Sequence, residues 1–167
     1  MGAASEPDIL EGIADPQIRR FVEYWQGKRG AARYPSRAAL DPIDFRYVLG
    51  DVVIIEAKRA APGSQFPWLF RYRLIGTNVV SRDGYDLTNK SLDDLPEAEY
   101  RERVRTTWNA VCDSGMPAHH IRNLHLDNRV RCYEAVVLPL ASNGDDIDML
   151  ISVQRETPPG GRAPSAP

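Results

Sequence analysis

The order of the strand and helix patterns constrains the fold most. DVVIIEA, at 51–57, is a continuous apolar and β-branched run, which predicts a strand covered on both faces. PWLFRYRLIG, at 67–76, alternates instead, so we expect a half-buried strand with Trp68, Phe70, Tyr72 and Leu74 on one face. Three more strands are predicted after a helical segment, at 118–126, 129–140 and 148–154. This order predicts an α+β fold on a five-stranded antiparallel sheet.

The segment between the second and third strands has helical periodicity. TNVVSRD, starting at Thr77, predicts a short helix that Gly84 ends in a left-handed conformation. A longer helix is predicted between Pro96 and Gly115, because apolar residues recur on one face: Tyr100, Val104, Trp108 and Val111. We expect this helical insert to cover one apolar face of the sheet, since no other part of the chain is available to cover it.

Two Asp-Pro pairs predict helix starts near the N-terminus. Asp15 and Pro16 occupy the N-cap and first helical positions of an amphipathic helix whose apolar residues are Ile18, Phe21, Val22 and Trp25. Asp41-Pro42 predicts a second, shorter helix through Phe45, Val48 and Leu49 that Gly50 ends. Both helices are predicted to pack on the sheet.

The length of 167 residues suits one domain with a sizeable core. The predicted organisation is a flexible N-terminus at 1–14, a single domain at 15–156 and a tail at 157–167. The tail is rich in Pro, Gly and Ala, a composition that predicts disorder.

Composition gives no indication of a nucleic-acid or membrane partner. The net charge is -2 and the arginines are interleaved with acidic residues, which is typical of solvated helix faces. No apolar run has the length of a signal peptide core or a membrane span, so we expect a cytoplasmic protein. Cys112 and Cys132 form no metal-binding pair and are interpreted as packing residues.

The stretch GYDLTNKS, at 84–91, matches the phosphate-binding pattern G-x-x-x-x-G-K-[ST] except at Asn89. The context does not fit, because a short helix precedes it and the acidic LDDLPEAE segment follows. We therefore interpret the stretch as a loop. Gly84 ends a helix, Asn89 adopts a left-handed turn conformation, Leu87 and Leu92 anchor the loop to the core, and Lys90 faces water.

Several motifs, in their order, resemble the PAS_5 family of PAS-like domains common in alphaproteobacteria. They are W-x-x-x-R-G (25–30), P-S-R (35–37), DPIDF, RYRLIGT, G-x-D-L-T-x-K-x-L (84–92) and V-L-P-L-A (137–141). The resemblance covers about residues 18–155, and Asn89 stands where we expect the family to have Gly. It implies a curved sheet cupping a small-molecule cavity, or a protein-interaction platform, in a signalling system. The resemblance names no ligand: such cavities hold haem, flavin, small carboxylates or nothing.

If the insert covers the sheet, the ligand-binding residues are predicted to line the resulting cup. They are Phe70, Tyr72, Thr77, Val80, Tyr85, Leu92, Trp108 and Val136, and Leu74 and Val104 are predicted to complete the lining. Mostly apolar walls with a few hydroxyl groups suit a small ligand. The alternative is a packed core without a cavity. An inward-facing His120 or Arg122 would favour a ligand, but the sequence leaves open which face of strand 118–126 these residues occupy.

The three histidines do not form a metal site by their spacing. On a strand, His119 and His125 share one face and His120 occupies the other, with no neighbouring ligand set. Haem, which needs one axial His, and flavin are both open but not favoured, because no matching motif accompanies them. No nucleophile–base constellation is recognisable.

Three functional hypotheses follow. The first is a non-enzymatic, cytoplasmic PAS-like sensory or regulatory domain that binds a small ligand and signals through a protein partner or homodimer. The second is a ligand-free interaction module that docks or dimerises through Phe21, Trp25 and the outer face of the sheet. The third is an enzyme with a cavity site that the sequence does not reveal.

Overall fold

The computed structural model describes residues 8–126 and 128–157. Its strands are β1 (Val52–Arg59), β2 (Trp68–Ile75), β3 (Ala118–Leu126), β4 (Arg129–Leu140) and β5 (Met149–Glu156). Its α-helices are α1 (Pro16–Lys28), α2 (Thr77–Asp83) and α3 (Ala98–Ser114). The strands form one antiparallel sheet in the order β2-β1-β5-β4-β3. The predicted α+β class and five-stranded sheet are confirmed.

The sheet separates two apolar cores. On one face, α2 and α3 pack against it and form the cup core, which includes Tyr72, Val79, Trp108 and Tyr133. On the other face lies an N-terminal layer, which includes Ile18, Phe21 and Trp25 of α1. The central strands β1, β4 and β5 contribute side chains to both cores, so their near-continuous apolar sequences fit strands buried on both faces.

Of the two helices predicted for the N-terminal layer, the first is an α-helix as expected and the second has a different structure. Asp15 caps α1, its Oδ1 accepting hydrogen bonds from the amides of Gln17 and Ile18 at 2.8 and 3.1 Å. The helix predicted from Asp41 is instead a turn followed by a 3-10 helix at Arg46–Asp51. The Asp41 carboxylate accepts from the Ile43 amide at 2.9 Å, a local bond that competes with helix formation.

The alternation in β2 ends earlier than the sequence predicts. Trp68, Phe70 and Tyr72 are buried on the cup face, but Leu74 is exposed. Between Ile54 and Ile55 of β1 the register shifts, so that two residues of β1 span three of β2. Such a bulge reverses the faces of the residues beyond it, which is why the prediction for Leu74 is wrong.

The ends of the chain are described in part. Of the predicted flexible segment 1–14, residues 1–7 lie outside the described residues, and residues 8–14 contain a 3-10 helix at Ile9–Gly12 and the buried Ile13. Residues 158–167 of the predicted tail, and Asp127 of the predicted β3–β4 turn, also lie outside. Asn128, the other turn residue, has a left-handed φ of 61°. The domain boundaries stay a prediction.

The loop GYDLTNKS forms one wall of the cup. Gly84 ends α2 with a φ of 84°, Asn89 has a φ of 66°, and Leu87 is buried while Lys90 is exposed. The loop also pairs with the outer edge of β2. The Tyr72 amide donates to the Lys90 carbonyl at 2.9 Å, and the Asn89 amide donates to the Tyr72 carbonyl at 2.7 Å. The turn interpretation is confirmed, and the strand-to-helix context of a phosphate loop is not present here.

Candidate functional site

The interior of the cup contains a small cavity between the sheet and helices α2 and α3. Its volume of about 30 Å³ has room for roughly one or two water molecules. Pockets for small molecules are usually ~300 Å³ or more. The lining combines aliphatic, aromatic and polar side chains, namely Val53, Tyr72, Ile75, Val79, Asp83, Tyr85, Leu87, Leu95, Tyr100, Val104, Trp108, His120, Arg122, Tyr133, Val137, Ser152 and Gln154.

The structure brings some of the residues predicted for ligand binding to this cavity. Tyr72, Tyr85 and Trp108 line it. Phe70 and Leu92 are buried in the same core but do not reach the cavity. Ligand binding by these five residues stays a prediction.

Three of the predicted residues lie elsewhere. Thr77 is exposed on α2, and Val80 is half-buried outside the cavity, because the short helix turns its neighbour Val79 inward instead. Val136 packs in the N-terminal layer, while Tyr133 and Val137 face the cup. The continuous apolar run of β4 contains no alternation from which its inward residues could be recognised.

His120 faces the cup, which settles the parity of β3. The side chain lines the cavity, and its buried Nδ1 has no hydrogen-bond partner among the described residues. Burial lowers the pKa of His120 to about 3, with smaller contributions from Arg122 and His119. The imidazole is therefore neutral at physiological pH. By contrast, His125 is exposed at the rim of the cup.

Arg122 lies two residues further along β3 and faces the same cavity. Its Nη2 donates to the Thr107 hydroxyl and to the Arg103 carbonyl, both neutral acceptors. Its buried Nε has no partner, and none of the described acidic side chains forms an ion pair with it. Ser152 of β5, 1% exposed, also lines the cavity, and its Oγ has no partner in the part of the chain that the structure describes.

A second arginine, Arg82, packs beside the cup and is ion-paired by contrast. Its Nε donates to Asp83 Oδ1 and its Nη2 to Gln154 Oε1, both at 2.7 Å. Its guanidinium lies 4.0 Å from the centre of the Tyr133 ring, an arrangement typical of a cation–π contact. The charge of Arg82 is therefore compensated, whereas that of Arg122 is not.

A surface pocket of about 300 Å³ adjoins the cavity. Both are lined by Asp83, Tyr85 and Tyr100, so these residues form the wall between the cavity and solvent. The Tyr85 hydroxyl donates to Glu97 Oε2 at 3.0 Å. The buried hydroxyls of Tyr100 and Tyr133 share a hydrogen bond of 2.9 Å, and burial raises the pKa of both. Within this wall Asp83 and Tyr85 are half-buried, whereas Tyr100 is buried.

On the opposite face of the sheet, Glu134 fixes the N-terminal layer. This carboxylate is 2% exposed and accepts hydrogen bonds from the amides of Ala14 and Asp15, both at 2.8 Å. His119 Nε2 lies 2.8 Å from its Oε1. His119 and His120 thus contact opposite sides of the sheet, as predicted. No cluster of three or more potential metal ligands occurs among the described residues.

Sequence reasoning missed Arg82, Tyr133 and Ser152. The sequence could have indicated Ser152, because it is the one hydroxyl residue in the apolar stretch LISV, at 150–153 of a central strand. Arg82 carries no such signal, because an arginine near the end of a short helix is ordinarily solvated. Only the folded structure places its side chain against Gln154 of β5 and the ring of Tyr133.

Comparison with solved structures shows what fold this is. The PAS domain of BvgS from Bordetella pertussis is 13% identical, with a TM-score of 0.52 over 72% of this chain and 90% of its own. A domain of an HTR-like protein from Haloarcula marismortui is 13% identical, with a TM-score of 0.46 over 65% and 99%. A LOV protein from Rhodobacter sphaeroides is 13% identical, with a TM-score of 0.46 over 73% and 71%.

At these identities the likeness to BvgS shows a shared fold only. No curated protein sequence matches the chain significantly. In the described part of the chain, none of the helices has both the length and the apolar character needed to cross a bilayer. The sequence model of the PAS_5 family, a PAS domain family, matches residues 13–153, and the chain therefore belongs to this family.

Proposed function

We propose that this PAS domain binds a small ligand in its cup, without catalysis, and passes the signal to a protein partner or a second copy of the chain. As a PAS domain the chain is a sensory or regulatory module. The observation that carries the proposal is a set of buried polar atoms, on residues lining one cavity, that have no partner in the described part of the chain: His120 Nδ1, Arg122 Nε and Ser152 Oγ. Each such group costs about 1–3 kcal/mol when unpaired, a cost that a bound polar molecule removes.

Binding of anything larger than water requires the cavity to widen. Tyr85 is the residue whose movement does this, because it separates the cavity from the surface pocket and is only half-buried. Its outward rotation breaks one hydrogen bond to Glu97, a cost of about 1 kcal/mol. The joined space then approaches the size of ordinary ligand pockets.

A route for the signal runs through the sheet to the N-terminal layer. Successive residues of a strand face opposite sides, so each inward residue has an outward neighbour. Gln154 contacts Arg82 in the cup, while the next residue, Arg155, donates to Asp15 at 2.9 Å and to Asp51 at 2.6 Å. A shift of β5 or β4 caused by a ligand therefore reaches the attachment of α1. This supports the N-terminal layer as the part that signals to a partner.

The surface suggested for the ligand-free interaction module is buried inside the protein. Phe21 and Trp25 are 0% and 4% exposed and pack against the sheet face that was expected to dock a partner. That version of an interaction module is wrong. A partner has to contact the outside of the N-terminal layer or another surface.

The titratable groups of the cup support a binding role over an enzymatic one. The pKa of His120 is lowered to about 3, and burial raises that of Tyr100 well above its ordinary value. Neither group exchanges protons readily near neutral pH, as a general acid or base must.

Both cysteines, Cys112 and Cys132, are free thiols. We place the role in the cytoplasm, where thiols remain reduced.

Thermal unfolding with a library of small metabolites tests ligand binding. At ~100 times its dissociation constant a ligand stabilises the folded state by about 2.7 kcal/mol. We expect at least one compound to raise the melting temperature by about 5–10 °C. The shift should disappear in Val79→Phe, which fills the cavity from α2, and persist in the matched control Val80→Phe, whose residue lies outside the cavity.

Circular dichroism of both variants establishes that they are folded, and native mass spectrometry of the wild type provides a second readout. An absence of any stabilising compound or bound mass in the wild type would overturn the proposal. So would a shift that Val79→Phe leaves intact, because the compound would then bind elsewhere.

A further inference from the structure

The charge balance of the cup is incomplete. Its lining contains one cationic side chain, Arg122, and one carboxylate, Asp83, which pairs with Arg82, a neighbouring residue that does not itself line the cavity. His120, neutral because of its burial, adds no charge. Because Asp83 is paired with Arg82, the positive charge of the half-buried Arg122 has no acidic partner among the described residues. Charges in protein interiors are ordinarily paired, because isolated ones are poorly solvated.

The donors around Arg122 are suited to accept an anion. Nη2 donates to the neutral oxygens of Thr107 and Arg103, while Nε is buried and has no partner within residues 8–126 and 128–157. Two residues along the same face of β3, His120 presents an unpartnered ring nitrogen to the same cavity. An arginine fork with free N–H groups binds planar carboxylates especially well.

The rest of the cavity is suited to hydrocarbon. Around the polar end stand aliphatic side chains from β1, β2, β4, α2, α3 and the connection between α2 and α3, namely Val53, Ile75, Val79, Leu87, Leu95, Val104 and Val137. A ligand that fits both parts has one acidic group and a short apolar body. A dianion such as phosphate would leave an excess negative charge in the cup, which is costly in a low-dielectric interior.

We propose that the ligand of the cup is a small monocarboxylate, with its carboxylate bound to Arg122 and its short hydrocarbon part between α2, α3 and the sheet. This inference rests on the proposed function, since it names the ligand class of the same cavity. The surface pocket outside carries Glu97 and Glu99 beside Arg103. Those charges do not attract anions, so selection for the carboxylate takes place inside, at Arg122.

Calorimetric titration with acetate, propionate, butyrate and benzoate, each beside its neutral primary amide, tests the ligand class. We expect one or more carboxylates to bind at least tenfold more tightly than the matching amide. Arg122→Gln should weaken that carboxylate at least tenfold and leave the amide unchanged. Arg129→Gln, an exposed arginine on the same β-hairpin, is the matched control and should bind like the wild type.

Arg122→Lys keeps the positive charge and replaces Arg122→Gln in the experiment if that variant does not fold. It should bind the carboxylate more weakly than the wild type does but still prefer the carboxylate to the amide. Amides that bind as tightly as their acids, with binding sensitive to Val79→Phe, would overturn the carboxylate assignment and leave the ligand-binding cup standing. Binding of carboxylates that Arg122→Gln does not weaken would also overturn it. If none of these compounds and no library compound binds, both proposals fall.

Discussion

At the scale of single residues, burial determines the chemistry of the cup. Among the described residues, the buried polar atoms of His120, Arg122 and Ser152 have no partner, whereas Arg82 donates to Asp83 and Gln154. The difference separates a structural arginine from one available to a ligand. It also gives His120 a pH-dependent effect on stability.

The pKa of His120 is lowered to about 3 in the folded protein, mainly by burial. In the unfolded chain a histidine has a pKa of about 6.5. As the pH falls from about 6.5 towards 3, the unfolded state binds a proton that the folded state excludes, so the free energy of unfolding falls by up to ~1.4 kcal/mol per pH unit. Above this window the effect is absent. We expect His120→Gln to remove this component.

Urea unfolding at several pH values between about 7.5 and 5 measures the slope. Carboxylates also titrate near the lower end, but they are common to both proteins and cancel in the comparison. His125→Gln replaces an exposed histidine and should retain the wild-type slope. Equal slopes for the wild type and His120→Gln would contradict the prediction.

At the scale of elements, Glu134 attaches the segment before α1 to the sheet. Its carboxylate accepts from the amides of Ala14 and Asp15, and Asp15 both caps α1 and accepts from Arg155. The attachment therefore combines a helix cap with a buried carboxylate. It fixes where the helix begins and how it lies on the outer face of β4 and β5.

Glu134→Gln tests this attachment. The amide group of Gln has one oxygen in place of two, so it cannot accept from both backbone amides as the carboxylate does, and its NH2 group faces another donor. We expect the free energy of unfolding to fall by about 1.5–3 kcal/mol in urea denaturation. Glu156→Gln, on the neighbouring strand but exposed, should cost less than about 1 kcal/mol. If Glu134→Gln lowered the free energy of unfolding no more than Glu156→Gln, the hydrogen bonds from the amides of Ala14 and Asp15 would contribute little to stability.

At the scale of the whole molecule, the two cores share their central strands. Side chains of β1, β4 and β5 alternate between the cup core and the N-terminal layer, so neither core can lose its packing while the sheet remains as it is. We expect the described part of the chain to unfold in one cooperative transition.

Single-tryptophan variants measure this directly. Trp25 lies in the N-terminal layer and Trp108 in the cup core. One variant, with Trp68→Phe and Trp108→Phe, reports on Trp25; the other, with Trp25→Phe and Trp68→Phe, reports on Trp108. In each, the fluorescence midpoint in urea should coincide with that of circular dichroism. An earlier fluorescence transition for Trp25 would mean that the N-terminal layer detaches before the sheet unfolds.

Local patterns predicted most of the elements and their caps. Apolar spacing predicted α1 and α3, Gly84 and Gly115 end their helices in left-handed conformations, and the strands after α3 lie where the sequence indicates. The left-handed Asn89 followed from its chemistry in the same way. These features depend on neighbours within a few residues, so the sequence specifies them.

Strand parity and register were decided by the tertiary structure. The bulge opposite Ile54 turned Leu74 outward, and the uniform apolar run of β4 gave no sign that Val136 faces the N-terminal layer. The inward position of His120 and Arg122 depends on how β3 pairs with β4. By itself, then, the sequence determined most of the elements, their order and the family, because these rest on local spacing. Only the folded sheet decided which side chains meet in the cup, because moving a strand by one residue exchanges its two faces.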